Sequence, residues 1–229
     1  MKTTNRGLLA LIRHEGVVPG PYLDAKGVWT FGIGHTAAVG APDPQHMPRG
    51  MPADLDAALR EAFRLFRADL ASCETQVARA VTVELAPHEA DALVSFHYNT
   101  GGIARAALTK ALNAGDREAA AAGLMNWLKP ASLRERREAE RDLFATGRYP
   151  AGPIPVWAVD AHGRVDFRAP LRRLSEAEAL ALLRPAALVV GPTAPVQPAS
   201  AAAPAPAPPR PVGVLAAMLA AFTAFFQRN

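Results

Sequence analysis

The sequence has little cysteine. Its 229 residues include one, Cys73, so no disulfide can form within the chain. Cys73 falls in an apolar pattern of helical period, and we interpret it as a core residue rather than a nucleophile. A fold that needs no oxidation fits synthesis in the cytoplasm.

A long apolar run is also missing near the start. Residues 7–12 are apolar, but a secretory signal needs roughly 7–15 such residues. Arg13 and Glu15 then interrupt the run. We therefore expect no cleavable signal peptide, and a protein of this kind that acts outside the cytoplasm needs another route across the membrane.

What the sequence does contain is typical of a basic globular protein. Half of the residues are apolar and 20% are charged. The net charge of +4 and the pI near 9.6 suit a polyanionic target. Cell wall, nucleic acid and anionic membrane all meet that description, so charge alone selects none of them.

Residues 1–149 are predicted to form one compact unit with an α+β fold. An amphipathic helix over residues 4–14 precedes a stretch of β-forming residues folded about a turn at Asp24–Gly27, which predicts a hairpin or three-stranded sheet. Residues 40–53 are predicted to be loop. The apolar periodicity and the capping residues then predict helices over 54–81, from Pro87 to near Asn99, and over 104–113, 117–128 and 133–146, the last opened by a Ser132–Glu135 capping box.

Residues 150–184 are predicted to be a small hairpin-helix extension. Strands at 154–159 and 164–168 flank a turn at 160–163, and Ser175 caps a helix that ends near Arg184. So short a piece holds little core of its own, so we expect it to dock on residues 1–149. A wall-binding aid and a structural cap both remain open as its role.

The remaining residues differ in composition from the rest. Residues 185–211 contain nine prolines and nine alanines and are predicted to be an extended linker. Residues 212–229 are predicted to form an apolar C-terminal helix, and residues 212–226 carry no charge. This run is shorter than the roughly 20 residues that span a bilayer. Docking on protein stays open, but a flexible linker before an apolar helix favours a membrane tether.

Two carboxylates and a hydroxyl are closely spaced near the start of the chain. Glu15 is followed after eight residues by Asp24, and Asp24 after five residues by Thr30. A pair of carboxyl groups can cleave a glycosidic bond when one is a protonated acid and the other an ionised partner. Glu15 follows an apolar helix, whose C-terminal end disfavours negative charge, whereas Asp24 lies on an open turn. Thr30 can hold a water molecule through its hydroxyl.

This spacing, followed by Phe31-Gly-Ile-Gly-His35-Thr36, resembles the phage-type lysozymes of glycoside hydrolase family 24. The similarity continues in residues 93–101, 112–116 and 136–147, in the same order, and covers residues 5–149. It implies a lysozyme-like α+β fold, with a small N-terminal β lobe and a mainly helical lobe, to which this chain adds a C-terminal extension. It also implies an N-acetylmuramidase that cleaves the β-1,4 bond between N-acetylmuramic acid and N-acetylglucosamine in peptidoglycan.

The resemblance also implies roles for individual residues. Glu15 is expected to be the general acid, Asp24 the second carboxylate, acting as base or nucleophile, and Thr30 the residue that positions water or substrate. Thr36, Tyr98 and Asn99 are candidate substrate contacts, and packing is the alternative for Tyr98 and Asn99.

Other polar residues are given structural interpretations. We expect His35 to pair with Asp69 of the long helix rather than to bind metal, since no second ligand lies at a suitable spacing. His97 is interpreted as structural, and the Arg134–Arg141 cluster as a mostly solvated helix face. We expect no metal and no cofactor.

The expected partners follow from the expected activity. The substrate is peptidoglycan, nucleic acid is not expected, and a holin-like protein is expected to release the enzyme from the cytoplasm to the wall. A lytic transglycosylase is the enzymatic alternative, which the presence of Asp24 and Thr30 disfavours. A non-catalytic wall-binding or membrane-tethered protein of the same fold is the other.

Overall fold

The computed structural model describes residues 1–184, which form seven helices and seven strands in an α+β arrangement. The helices are α1 Asn5–Glu15, α2 Leu55–Ala80, α3 Pro87–Thr100, α4 Ala107–Asn113, α5 Arg117–Leu124, α6 Arg134–Thr146 and α7 Glu176–Leu183. The strands are β1 Val18–Leu23, β2 Trp29–Gly32, β3 His35–Thr36, β4 Ile154–Val156, β5 Ala158–Val159, β6 Val165–Asp166 and β7 Arg172–Leu174. The predicted linker 185–211 and apolar segment 212–229 lie outside the described residues.

The predicted sheet near the N-terminus is confirmed. Strands β1, β2 and β3 are antiparallel neighbours in that order. Thr30 in the central strand has Tyr22 and Thr36 as its partners on either side. This register places the candidate residues Thr30 and Thr36 side by side.

The helical lobe packs around α2 and α3. The apolar positions that predicted α2 are buried, including Phe63, Phe66 and Cys73, so the core interpretation of the cysteine is confirmed. Burial raises the pKa of the Cys73 thiol to about 12, which leaves it without the thiolate that nucleophilic chemistry needs. Pro87 opens α3 as predicted, and Gly101 ends it in the left-handed conformation.

Two predicted helix boundaries and one predicted cap are wrong. Helix α4 begins at Ala107 rather than 104, because residues 102–106 form turns in which the amides of Arg105 and Ala106 bond the carbonyl of Gly102. Helix α5 ends at Leu124 rather than 128, where Trp127 instead packs edge-on against Phe96. Ser132 does not cap α6, since it lies within a 3₁₀ turn and its buried hydroxyl has no hydrogen-bond partner.

The segment 150–184 docks on the rest of the fold, as expected. Its predicted hairpin is more divided than the sequence suggests, because β4 pairs with β7 and β5 pairs with β6. The amide of Val17 bonds the carbonyl of Pro155 at 3.1 Å, and the amide of Trp157 bonds the carbonyl of Val17 at 2.8 Å. The predicted helix is α7, and Ser175 and Glu178 form its capping box.

The docked segment contributes to the main core as well as to a small second cluster with β1. Its residues Ile154, Val156, Leu174, Ala179 and Leu183 lie in the same buried cluster as α1, α2 and α3. Among residues 1–184, no helix has both the length and the apolar character needed to cross a membrane.

Candidate active site

Glu15 is the last residue of α1 and is buried. Thr4 caps the start of this helix through a hydrogen bond from the amide of Gly7. Gly16 then turns the chain with a φ of 68°, so the chain leaves the helix directly after Glu15. The side chain of Glu15 keeps 3% of its surface exposed and accepts a hydrogen bond of 2.7 Å from Arg136 Nη1.

Arg136 belongs to a buried ionic cluster formed with Glu15, Arg137 and Glu140. Arg136 Nε donates to Glu140 Oε1 at 2.9 Å, and Arg137 pairs with the other oxygen of Glu140. The hydroxyl of Ser95 donates to Glu140 at 2.7 Å. Two arginines and two glutamates thus contact one another in the interior, and this pairing reduces the cost of burying them.

The prediction that the Arg134–Arg141 cluster is a mostly solvated face is therefore wrong for its inward charges. Arg136, Arg137 and Glu140 are each at most 1% exposed. The other charged residues of the cluster are partly or largely in solvent as expected: Arg134, Glu135, Glu138 and Arg141. The spacing of the buried charges matches that of the apolar residues Leu133, Leu143 and Phe144, and this shared helical period is the sequence signal that could have identified them.

The charges in this cluster shift the pKa of neighbouring groups. Burial opposes the charge of Glu140, but Arg137 and Arg136 outweigh it and lower its pKa. Burial, and next Arg136, lower the pKa of His14 to about 3, so this imidazole is neutral near pH 7.

Asp24 lies in a contrasting environment, on the turn between β1 and β2. Its Oδ1 atom accepts hydrogen bonds of 2.8 Å from the amides of Lys26 and Val28. The residue is partly exposed, and its neighbours Lys26 and Gly27 are exposed. Two backbone donors therefore fix the direction of a carboxylate that solvent and ligands can reach.

Thr30 and Thr36 lie next to each other on neighbouring strands. Both are buried, at 0% and 5% exposure. The Thr30 hydroxyl donates to the carbonyl of Val28 at 3.1 Å, which leaves the lone pairs of its oxygen able to accept. Val28 thus contacts both residues: its amide bonds Asp24, and its carbonyl bonds Thr30.

Tyr22 is buried on β1 opposite Thr30, and the sequence pattern did not single it out. Its pKa is raised well above the usual range by burial and then by the charges of Glu15 and Asp24. The phenol therefore lies within electrostatic reach of both. Its register opposite Thr30 in the predicted sheet is the sequence signal that could have indicated this position.

Tyr98 and Asn99 are buried at the end of α3. The Tyr98 hydroxyl donates to the carbonyl of Ile33 at 2.6 Å, and its ring packs edge-on against Phe66. Asn99 accepts a hydrogen bond from Arg137 through its side-chain oxygen. The structure brings both residues to the edge of the ionic cluster, and their contact with substrate stays a prediction.

His35 forms the predicted pair with Asp69, which is confirmed. Its Nδ1 atom lies 2.9 Å from Asp69 Oδ2, and its Nε2 atom lies 2.9 Å from the carbonyl oxygen of Pro42. Burial opposes a charge on His35, but the hydrogen bond and charge of Asp69 outweigh it and raise its pKa. Within residues 1–184, no three His, Cys, Asp or Glu side chains lie close enough together to hold a metal ion.

Comparison with known proteins agrees with this geometry. The family model described as phage lysozyme matches residues 12–140, which include Glu15, Asp24, Thr30 and Arg136. The chain is 33% identical over 150 residues to the endolysin of Salmonella phage P22, with 63% of this chain and 98% of that protein covered. It is 34% identical over 142 residues to the SAR-endolysin of Escherichia phage Mu, with 59% and 76% covered.

A solved structure shows the same fold. The endolysin from Escherichia coli O157:H7 phage FAHEc1 superimposes with a TM-score of 0.56 at 26% identity, covering 66% of this chain and 98% of that one. A family model that spans more than half of the sequence, together with this fold, decides the classification: the chain belongs to the phage lysozyme family.

Proposed function

We propose that Glu15, Asp24 and Thr30 form the catalytic site of a muramidase that hydrolyses peptidoglycan between N-acetylmuramic acid and N-acetylglucosamine. One observation carries the assignment of residues. A buried carboxyl group at the end of α1 and a partly exposed carboxylate on the β1–β2 turn lie at the two ends of β1, the strand that pairs with Thr30. Two carboxyl groups in unequal environments are what acid-assisted glycoside cleavage requires.

In the proposed reaction, Glu15 gives its proton to the glycosidic oxygen as the bond from that oxygen to C1 breaks. Asp24 stabilises the positive charge that develops at the sugar, and it acts either as base toward water or as nucleophile. Thr30 orients the water or the sugar through its hydroxyl oxygen. In both routes water supplies the hydroxyl group at C1, so each cut leaves a reducing end.

Substrate contacts are proposed at Thr36, Tyr98 and Asn99. Thr36 is supported by its register beside Thr30. Tyr98 and Asn99 are supported by their position next to the cluster that contains Glu15, since Asn99 bonds Arg137 and the charge of Glu15 helps to raise the pKa of Tyr98.

Product analysis tests the proposed reaction. Purified full-length protein is incubated with peptidoglycan, and the fragments are examined by mass spectrometry. Reducing-end products are expected, and Glu15→Gln should lower the rate by about 10²–10⁴-fold because it removes the proton donor. Glu118→Gln, the same change at an exposed position on α5, is the matched control and should keep the parent rate.

Other outcomes point to the alternatives. Anhydro ends would identify a lytic transglycosylase and overturn hydrolysis. Binding to walls without any cleavage would identify a non-catalytic protein of this fold. A Glu15→Gln variant as active as the parent would remove Glu15 as the acid while leaving the family membership intact.

Membrane retention is proposed for residues 212–226. The support is their sequence, since fifteen uncharged residues follow a linker rich in proline and alanine. Deletion of residues 185–229 should leave hydrolysis unchanged and move the protein from the membrane to the soluble fraction. An unchanged fractionation pattern would contradict the tether.

Passage to the wall is the last part of this proposal. Peptidoglycan lies outside the cytoplasmic membrane, so an enzyme made in the cytoplasm must cross it, and we propose release through a holin-like partner. Expression in bacterial cells with and without a holin should lyse the cells when the holin is present. Equal lysis without the holin would contradict this partner.

A further inference from the structure

The turn at Asp160–Gly163, between β5 and β6, is tightly formed. Asp160 Oδ1 accepts hydrogen bonds of 2.8 Å from the amide of His162 and of 2.9 Å from that of Arg164. The amide of Gly163 also bonds the carbonyl of Asp160 at 3.1 Å. Gly163 has a φ of +79°, in the region that favours glycine. These hydrogen bonds fix the backbone conformation of the turn.

The first contact of this turn holds the strand end that carries Asp24. The carbonyl oxygen of Gly163 accepts a hydrogen bond of 2.9 Å from the amide of Leu23. Leu23 immediately precedes Asp24 in the chain. The backbone that leads into the candidate catalytic turn is therefore tied to a residue of the extension.

The second contact holds the residue before Thr30. A Cβ atom built on Gly163 would lie 2.6 Å from Cζ3 and 2.7 Å from Cη2 of Trp29, so the indole fills the space where any other side chain would project. The guanidinium of Arg49 covers the same ring at 3.4 Å from its centroid. Trp29 is also the partner of Leu23 across the hairpin.

A small apolar cluster joins the same two elements. Val18 and Tyr22 of β1 are buried against Trp157 and Val159 of the extension. Trp157 packs edge-on against Phe167 at 5.4 Å between ring centroids. The extension thus supports β1 behind Tyr22, the residue that lies within reach of Glu15 and Asp24. The matched family region ends at residue 140, so the residues of the extension that make these contacts lie outside it.

We propose that the Asp160–Gly163 turn is a positioning element that holds the β1–β2 hairpin, and with it Asp24 and Thr30, in the geometry for glycan cleavage. The proposal rests on the proposed function of these two residues. Gly163 is a positioning residue, since it acts through Leu23 and Trp29. Misplacing a reacting group by about 1 Å can lower a rate by up to about 10²-fold.

The test is Gly163→Ala in the full chain, with Gly115→Ala as the matched control. Gly115 has a similar φ of +86°, and a Cβ there meets nothing within 4 Å. Both variants introduce similar backbone strain, but only Gly163→Ala pushes against Trp29. With soluble peptidoglycan fragments, we expect kcat to fall about tenfold in Gly163→Ala with KM within twofold, and both to stay at parent values in Gly115→Ala.

Hydrogen–deuterium exchange gives a readout that does not depend on activity. Peptides covering residues 18–32 should exchange faster in Gly163→Ala than in the parent and in Gly115→Ala, while peptides from α2 and α3 stay unchanged. Equal effects of the two alanines on kcat and on hairpin exchange, or no effect of either, would overturn the proposal.

Misfolding of the variant and inactivity of the parent are also informative outcomes. If Gly163→Ala fails to fold, the double variant Gly163→Ala/Trp29→Phe, whose smaller ring relieves the contact, should restore folding and parent-like exchange, and failure of this rescue overturns the proposal. If the parent itself releases no glycan fragments, the proposed function fails. Exchange then still decides whether the turn holds the hairpin.

Discussion

Arg136 Nη1 lies 2.7 Å from Oε1 of Glu15 and joins the last residue of α1 to the first turns of α6. The same guanidinium bonds Glu140 through Nε and the carbonyl of Ser95 through Nη2. One side chain therefore connects the candidate acid at the end of α1 to two further helices, α3 and α6. The position of Glu15 depends on residues 121 positions later in the sequence.

Arg136→Ala should destabilise the protein and impair catalysis. The change leaves Glu15 and Glu140 buried with less compensating charge, for which we expect a loss of about 3–5 kcal/mol in the free energy of unfolding. Arg134→Ala removes an exposed arginine paired with Glu138 and should cost less than about 1 kcal/mol. Urea denaturation measures both, and similar losses would contradict the role of the buried cluster.

The ion pair of His35 and Asp69 should make stability depend on pH. Because Asp69 raises the pKa of His35 above its unfolded value of about 6.5, the pair stabilises the fold fully below that pH. This contribution is lost as the pH rises through the raised folded pKa. In Asp69→Asn, the free energy of unfolding should no longer fall over this pH range. In Asp56→Asn, at an exposed site, it should still fall.

Tyr98→Phe separates the two roles considered for this residue. Removal of the hydroxyl leaves the buried carbonyl of Ile33 without its 2.6 Å hydrogen bond, which should cost about 1–3 kcal/mol of unfolding free energy. Because Tyr98 is a proposed substrate contact, KM should also rise several-fold. A KM within twofold of the parent, with the loss of stability alone, would limit Tyr98 to packing.

The extension should unfold together with the rest of the described chain. Ile154 is fully buried in the main core, so Ile154→Ala should lower the free energy of unfolding by about 2–5 kcal/mol in a single transition. Leu171→Ala, at a position that is 49% exposed, is the control and should have a small effect. A separate early transition for residues 150–184 would show instead that they form an independent domain.

Local pattern was sufficient to predict much of the fold and the candidate triad. The period of three and four in α2, Pro87 at the start of α3 and the Ser175–Glu178 capping box each depend on neighbours within one or two turns. Their positions can therefore be predicted from short stretches of sequence. The wrong boundaries of α4 and α5 lie where turns around Gly102 and the packing of Trp127 override helix propensity.

The candidate site was predicted as far as its residues are close in sequence. Glu15, Asp24 and Thr30 share one short stretch, and their separate environments follow from a helix end and a turn. Arg136, Tyr22 and the Asp160–Gly163 turn were not selected as site residues, because a local pattern can mark a position as facing inward but does not identify its partner. Long-range contacts supply that partner.

The sequence by itself determined the helical periods, the turn chemistry and the spacing of Glu15, Asp24 and Thr30, because these are set by interactions between near neighbours. The tertiary structure decided which charges are buried and which element supports the hairpin. Arg136 is neutralised by Glu15 and Glu140, and Leu23 is held by Gly163, only when α1, α6 and β5–β6 pack together. Burial and charge pairing are properties of that packing, and they act on residues more than a hundred positions apart.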